Sequence, residues 1–170
     1  KTAGDEWAGV LKSAGTYAGY VDHHGEDVFR DQAIDWMLRA RENSSSVLNM
    51  AVAARENGKL VRTALTREVW EAVNENWLSL RDALTRKVSE RDLADVLSLI
   101  RQRSAFVRGA LSGTMLRNEI YDFSRIGTFL ERADNTARIL DVKYYVLLPS
   151  VVSVGTSIDN VQWQTILRSV

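Results

Sequence analysis

Residues 129–148 read FLERADNTARILDVKYYVLL, and this stretch decides the fold. At 100° per residue, apolar residues of this stretch and of the segment before it fall within about 80° of one another on a helix. They are Met115, Phe123, Ile126, Leu130, Ala133, Ala137 and Tyr144. The pattern predicts a long α-helix over roughly 115–147 whose apolar face packs into a core.

Charged side chains form a strip beside that apolar face. This polar strip consists of Glu131, Asp134, Arg138 and Asp141, with Asn135 next to it. It continues a line that is apolar at both ends, at Leu116 and Ile120 before the charges and at Tyr145 after them. One interpretation is an exposed acid–base pair, Asp134 with Arg138 four residues later, which stabilises a helix by about 0.2–0.5 kcal/mol. The other is a half-buried network in which Glu131 and Asp134 hold Arg138 and Asn135.

The rest of the chain also has the spacing of helices. Pro149 is the single proline, which favours long uninterrupted helices. Ser44 or Ser45 is expected to cap one helix and Thr66 the next, and Ser89 with Asp92 resembles a capping box. The sequence "SGT" at 112–114 is expected to be a turn. The predicted helices span about 5–20, 27–40, 47–65, 66–87, 93–111, 115–147 and 159–170. The fold class is therefore all-α, a helical bundle of about six to seven helices.

Composition excludes several classes of protein. The 22 basic and 22 acidic residues cancel, so the chain lacks the positive excess of a nucleic-acid-binding protein. It contains no cysteine, hence no disulfide, thiolate metal site or thiol nucleophile. No apolar run approaches the roughly 20 residues that span a bilayer. We expect a cytoplasmic protein that binds neither nucleic acid nor membrane.

Motifs of catalysis are also missing. Glu131 and Asp134 could ligate a hard cation, but Arg138 beside them already balances their charge, so we expect no metal. His23 and His24 fall in a predicted loop, over 21–27, and are interpreted as polar loop residues. The sequence has no G-x-S-x-G turn, Walker loop or G-x-G-x-x-G loop, and we expect no cofactor. A small basic patch is expected to be solvated; it consists of Arg101, Arg103 and Arg108.

At this point a resemblance to a known family emerges. "GTMLRNE" (113–119) followed by "FLERADNTARILDVKYYVLL" (129–148) resembles the bacterial alpha-E domain, an all-helical family named for a Glu-Arg motif, here Glu131-Arg132. "DEWAGVL" (5–11), "SSSVLNMAVAARENGKLVR" (44–62) and "REVWEAVNE" (67–75) are similar to the family too. The most specific part is "ERADNTARILDVKY".

The resemblance implies that members are longer at both ends and carry a second Glu-Arg helix near the N-terminus. We therefore expect residues 1–170 to form one all-helical domain, the central part of the family domain, truncated at both ends. If the two Glu-Arg helices pack together, the chain holds half of a pseudo-symmetric larger domain.

The resemblance also implies a genomic context. Alpha-E proteins tend to be encoded with, or fused to, circularly permuted ATP-grasp proteins and transglutaminase-like proteins, which suggests a system that makes or breaks peptide amide bonds. Two functions stay open. The first is a non-catalytic accessory or interaction domain for such partners. The second is an enzyme of peptide or amide metabolism that uses the Glu131, Asp134 and Arg138 cluster. The candidate binding residues for either function are Glu131, Arg132, Asp134, Asn135, Arg138 and Asp141.

Overall fold

The computed structural model describes residues 3–141 and 155–169, and within these ranges the protein is all-helical, with no strand. Eight α-helices are present: α1 Ala3–Ser13, α2 Tyr17–His24, α3 Arg30–Leu38, α4 Val47–Leu60, α5 Arg67–Ala83, α6 Leu93–Thr114, α7 Glu119–Asp141 and α8 Ser157–Ser169. A short 3-10 turn, Arg62–Ala64, precedes α5. None of the described helices is long and apolar enough to cross a membrane.

The predicted single helix over 5–20 is wrong, because Gly15 divides it into α1 and α2. Gly15 has a φ of +70°, in the left-handed region that glycine enters without steric cost. The amide of Thr16 donates to the carbonyl of Leu11, and that of Gly15 to Lys12. These two bonds are the Schellman arrangement that ends a helix. The predicted 21–27 loop begins only at Gly25, since α2 continues through His24.

The first part of the core lies among α1, α2 and α3. It is built from Leu11, Tyr20, Val28, Ala33 and Trp36, all buried. The Tyr20 ring packs edge-on against Trp36, with 6.1 Å between ring centroids. Its hydroxyl donates to Oε1 of Gln32 at 3.0 Å. A buried hydroxyl without a partner would be destabilising, so this bond allows the tyrosine to fill the core.

A second cluster joins α3 to the helices that follow it. Ile34 and Leu38 of α3 are buried against Leu84, the residue after α5. Partly buried apolar side chains of α4, α6 and the preceding loops complete it: Val47, Leu48, Val88, Leu93, Val96 and Ile100. Helix α5 packs along both α4 and α6, so the middle of the chain is a three-helix layer.

The predicted helix starts can be compared with the observed caps. Ser89 and Asp92 are bonded to each other, but α6 begins at Leu93, so Asp92 and not Ser89 is the residue before the helix. Thr66 caps α5 as predicted, because its hydroxyl accepts from the amide of Val69 at 3.3 Å. The cap of α4 is Ser46 and neither Ser44 nor Ser45, with its hydroxyl accepting from the amide of Asn49. Ser46 is the residue with the extended backbone that a cap requires.

The predicted turn at 112–114 is also wrong. Helix α6 continues through Thr114, whose hydroxyl donates to the carbonyl of Ala110 at 2.8 Å. The chain turns instead between Met115 and Asn118, and Asn118 accepts at Oδ1 from the amide of Tyr121 at 3.3 Å. The helix predicted over 115–147 therefore starts at Glu119. The part of that prediction beyond Asp141, and Pro149, lies outside the described residues.

The orientation of α7 contradicts the predicted core face. Met115 is buried, but it precedes the helix; Phe123 is 73% exposed and Leu130 is 67% exposed. Ile126, Ala133 and Ala137 are exposed as well, while Tyr144 lies outside the described residues. The half-buried positions of α7 lie roughly 160° round the helix from the apolar face. They include Tyr121, Thr128 and Ile139.

Candidate functional site

Within the described ranges, Arg138 is the member of the polar strip that forms a hydrogen bond to another helix. Its Nε donates to Oδ2 of Asp134 at 2.7 Å, four residues earlier on α7. This hydrogen bond and the charge of Asp134 raise the pKa of the Arg138 guanidinium above its ordinary value, with a smaller contribution from Asp141. Nη1 of the same guanidinium donates to the carbonyl of Ser13 at 3.2 Å.

The Ser13 contact completes the end of α1. The Schellman bonds use the carbonyls of Leu11 and Lys12, and leave that of Ser13, the last residue of the helix, without a backbone partner. A cation at a helix C-terminus also interacts favourably with the helix dipole. Gly15 leaves room for it, because a Cβ at this position would lie 2.7 Å from Nη1 of Arg138. Arg138 therefore joins α7 to α1.

Glu131 does not take part in that contact. Its Oε1 accepts from Nδ2 of Asn135 in a short side-chain bond within α7, and both side chains are exposed. The predicted network is thus two separate pairs: Glu131 with Asn135, and Asp134 with Arg138. The exposed acid–base pair predicted for Asp134 and Arg138 is present, with side chains 59% and 41% exposed. The additional bond from Arg138 to Ser13 is the only hydrogen bond of the strip across helices in the described ranges.

An open cleft of about 810 Å³ lies beside α7. Four of the six candidate residues line it: Glu131, Arg132, Asn135 and Arg138. Asp134 and Asp141 do not, although both are exposed. Apolar side chains also line it: Val10 of α1, Ala14 after α1, Met37 of α3 and Ile139 of α7. The structure therefore brings the motif residues Glu131 and Arg132 together at a concave surface, as binding sites for small ligands require.

Arg108 of α6 also lines the cleft, a role that the sequence interpretation missed. The sequence groups it with Arg101 and Arg103 as a solvated patch, yet Arg103 lies 3.6 Å from Glu75 of α5, whereas Arg108 has no such partner in the described ranges. Spacing along the helix could have separated Arg108 from Arg103, because residues five apart lie on different faces. Arg101 shares the face of Arg108, because these two residues are seven apart.

The other candidate chemistries find little support in the described residues. No group of three histidine, cysteine or carboxylate side chains that could hold a metal occurs among them. His23 and His24 lie at the end of α2, in aromatic contact with Trp36. The prediction that they are loop residues is wrong, and their surroundings are those of side chains packed at the edge of the core.

Comparison with known proteins gives one result. A family model described as Alpha-E, a predicted alpha-helical domain with a conserved ER motif, matches residues 2–170. The match covers essentially the whole chain, an extent that gives no support to the prediction that the chain is only a central part of the domain. No curated protein matches the chain, and no solved structure does. On the extent of the family match, the chain belongs to the Alpha-E family.

Proposed function

We propose that the chain is a non-catalytic interaction domain of a system that makes or breaks peptide amide bonds. Its partners in this proposal are a circularly permuted ATP-grasp protein and a transglutaminase-like protein. The observation that carries the proposal is the exposure of α7, whose apolar face includes Phe123, Ile126 and Leu130. Apolar side chains grouped on one exposed face are typical of protein–protein contact surfaces.

The motif residues suit such a surface better than an acid–base site. Among the described residues, Glu131 is the one carboxylate that lines the cleft, and it is already bonded to Asn135. Asp134 is engaged with Arg138 and lies off the cleft. Arg132 makes no ion pair within the described ranges, so its guanidinium can form a bidentate bond with a partner's carboxylate.

A pull-down from lysate of the native organism tests the proposal. The tagged protein carrying its native flanking segments is compared with Leu130→Asp, which puts a charge on the apolar face, and with Arg132→Ala. Arg86→Ala, an exposed arginine outside α7, is the matched control. We expect mass spectrometry to find the ATP-grasp or transglutaminase-like protein with wild type and control, and to lose it with Leu130→Asp. Absence of both proteins from the wild-type sample would contradict the proposal.

The cleft itself favours a second function, an enzyme of peptide or amide metabolism. In this alternative Glu131 acts as acid or base, and Arg132 or Arg138 binds a substrate carboxylate. A volume of about 810 Å³ is within the range of small-molecule sites. Peptide amidase and ligase assays on wild type and Glu131→Gln test it. Activity that disappears in Glu131→Gln, with the fold intact, would favour the enzyme over the interaction domain.

A further inference from the structure

A second pocket lies between α6 and α7, with a volume of about 280 Å³. Three arginines line it: Arg108 from α6, and Arg125 and Arg132 from α7. None of its described lining residues is a carboxylate. The whole chain has equal numbers of acidic and basic residues, so this local excess of positive charge does not follow from composition.

The three guanidinium groups have no acidic partner in the parts of the chain that the structure describes. The other arginines of α6 and α7 include Arg103, which lies near Glu75, and Arg138, which pairs with Asp134. By contrast, Arg125 and Arg132 both lie over the ring of Phe129, at 4.8 and 6.0 Å from its centroid. A phenyl ring attracts cations at this range but does not neutralise them. Like charges gathered in this way are favoured when an anion lies between them.

The residues that line the pocket indicate which kind of anion it binds. Arginines from two helices, and from positions seven apart on α7, line the pocket, so guanidinium groups can reach an anion there from more than one side. A carboxylate is planar and is satisfied by one or two arginine forks, whereas a phosphate offers three terminal oxygens and about two negative charges. The hydroxyls of Ser112 and Tyr121 also line the pocket. The donors present therefore match a phosphate group better than a carboxylate.

The neighbouring cleft indicates what the phosphate is attached to. Arg108 and Arg132 line both cavities, so the pocket and the cleft are adjacent. Beyond these arginines the cleft is apolar at Met37 and Ile139. We propose that the pocket between α6 and α7 binds the phosphate group of a phosphate monoester, held by Arg108, Arg125 and Arg132, with the organic part in the cleft.

Calorimetric titration at constant ionic strength tests this inference with three probes. Phenyl phosphate carries a phosphate on an apolar ring, and benzoate carries a carboxylate on the same kind of ring. Inorganic phosphate has no organic group. The variants are Arg108→Gln and Arg125→Gln. Arg101→Gln is the matched control, because it removes the same charge from α6 two turns away and does not line the pocket. Circular dichroism checks that each variant is folded.

We expect phenyl phosphate to bind most tightly. Each pocket variant should raise its Kd by about tenfold or more, since one charge-assisted hydrogen bond is lost. The control should change the Kd less than about twofold, because an exposed charge at this distance is screened. Benzoate should bind at least about tenfold more weakly than phenyl phosphate.

Other results would overturn the proposal in distinct ways. If phenyl phosphate does not bind, the pocket is not a phosphate site. If Arg101→Gln weakens binding as much as the pocket variants do, the attraction comes from the general positive field and not from a site. Benzoate binding as tightly as phenyl phosphate would assign the pocket to carboxylates. Inorganic phosphate binding as tightly as the ester would remove the role of the cleft. Because Arg108 and Arg125 are not used in the docking proposal, these results do not depend on its outcome.

Discussion

Helices α5 and α7 both have an apolar face, over 17 and 23 residues, yet they are used differently. Helix α5 packs between α4 and α6 and buries Val69, Ala72 and Leu80. Helix α7 contacts α1 and has no buried residue in its described length, so its apolar face is exposed. Periodicity shows which side of a helix is apolar. It does not show whether the same chain supplies the surface that covers it.

The sharpest test of this difference is one substitution made in both helices. Leu80→Ala should lower the free energy of unfolding by about 2–5 kcal/mol, because Leu80 is 3% exposed and its removal leaves a cavity. Leu130→Ala should change it by less than about 0.5 kcal/mol, because Leu130 already contacts water. Urea unfolding followed by circular dichroism measures both. Equal losses would mean that α7 is packed as tightly as α5.

A smaller effect is expected where α7 meets α1. Gly15→Ala should destabilise by about 1–2 kcal/mol, since alanine is strained at a φ of +70°. The new Cβ would also displace the Arg138 guanidinium from Ser13. Thermal unfolding measures the change, with the same substitution made in an Arg138→Ala background as control. The backbone strain is the same in both backgrounds, so a larger loss in the wild type would measure the Arg138 contact.

Removing the cap of α4 should lower the free energy of unfolding by a similar or slightly smaller amount. Ser46→Ala removes the hydroxyl that accepts from the amide of Asn49, and should cost about 1 kcal/mol. Ser45→Ala, at the neighbouring exposed residue, should be within about 0.5 kcal/mol of wild type. Chemical denaturation of both variants checks which serine is the cap. A larger loss in Ser45→Ala than in Ser46→Ala would show that Ser45 is the cap, as the sequence alone suggests.

The smallest effect concerns the Glu-Arg motif itself. Glu131→Ala should change the free energy of unfolding by less than about 0.5 kcal/mol, because its bond to Asn135 is exposed and within one helix. A half-buried network would give about 1–3 kcal/mol, since removing Glu131 would leave a buried partner unpaired. Differential scanning calorimetry at several salt concentrations separates the two, and a loss above about 1 kcal/mol would bring Glu131 back into a structural role.

The sequence predicts the fold class and most of the helices because these depend on local properties. The apolar period and the cap at Thr66 are set by neighbouring residues, and the α5 helix follows from them. The division at Gly15 was also visible, since a glycine in a predicted helix is a candidate C-terminal residue. The predicted helix over 5–20 runs through Gly15 without using this property of glycine.

The orientation of α7 and the contacts of its polar strip were not predictable in the same way. The apolar stripe through Phe123 and Leu130 is the most regular feature of the helix, and it is exposed. The partner of Arg138 is a backbone carbonyl, and every residue other than proline presents the same group, so no pattern in the sequence identifies Ser13. Likewise, Arg108 and Arg125 come together only because α6 and α7 meet.

The bond between Arg138 and Ser13 also has a consequence for synthesis on the ribosome. Helices α4, α5 and α6 pack mainly on their neighbours in sequence, so each can dock soon after it is synthesised. The carbonyl of Ser13, at the end of α1, gains its hydrogen-bond partner only when Arg138, 125 residues later, has been synthesised. At ~5–20 residues per second, that interval is roughly 6–25 s. During it the end of the first helix is solvated by water, and the arrival of α7 closes a loop of 125 residues between α1 and α7.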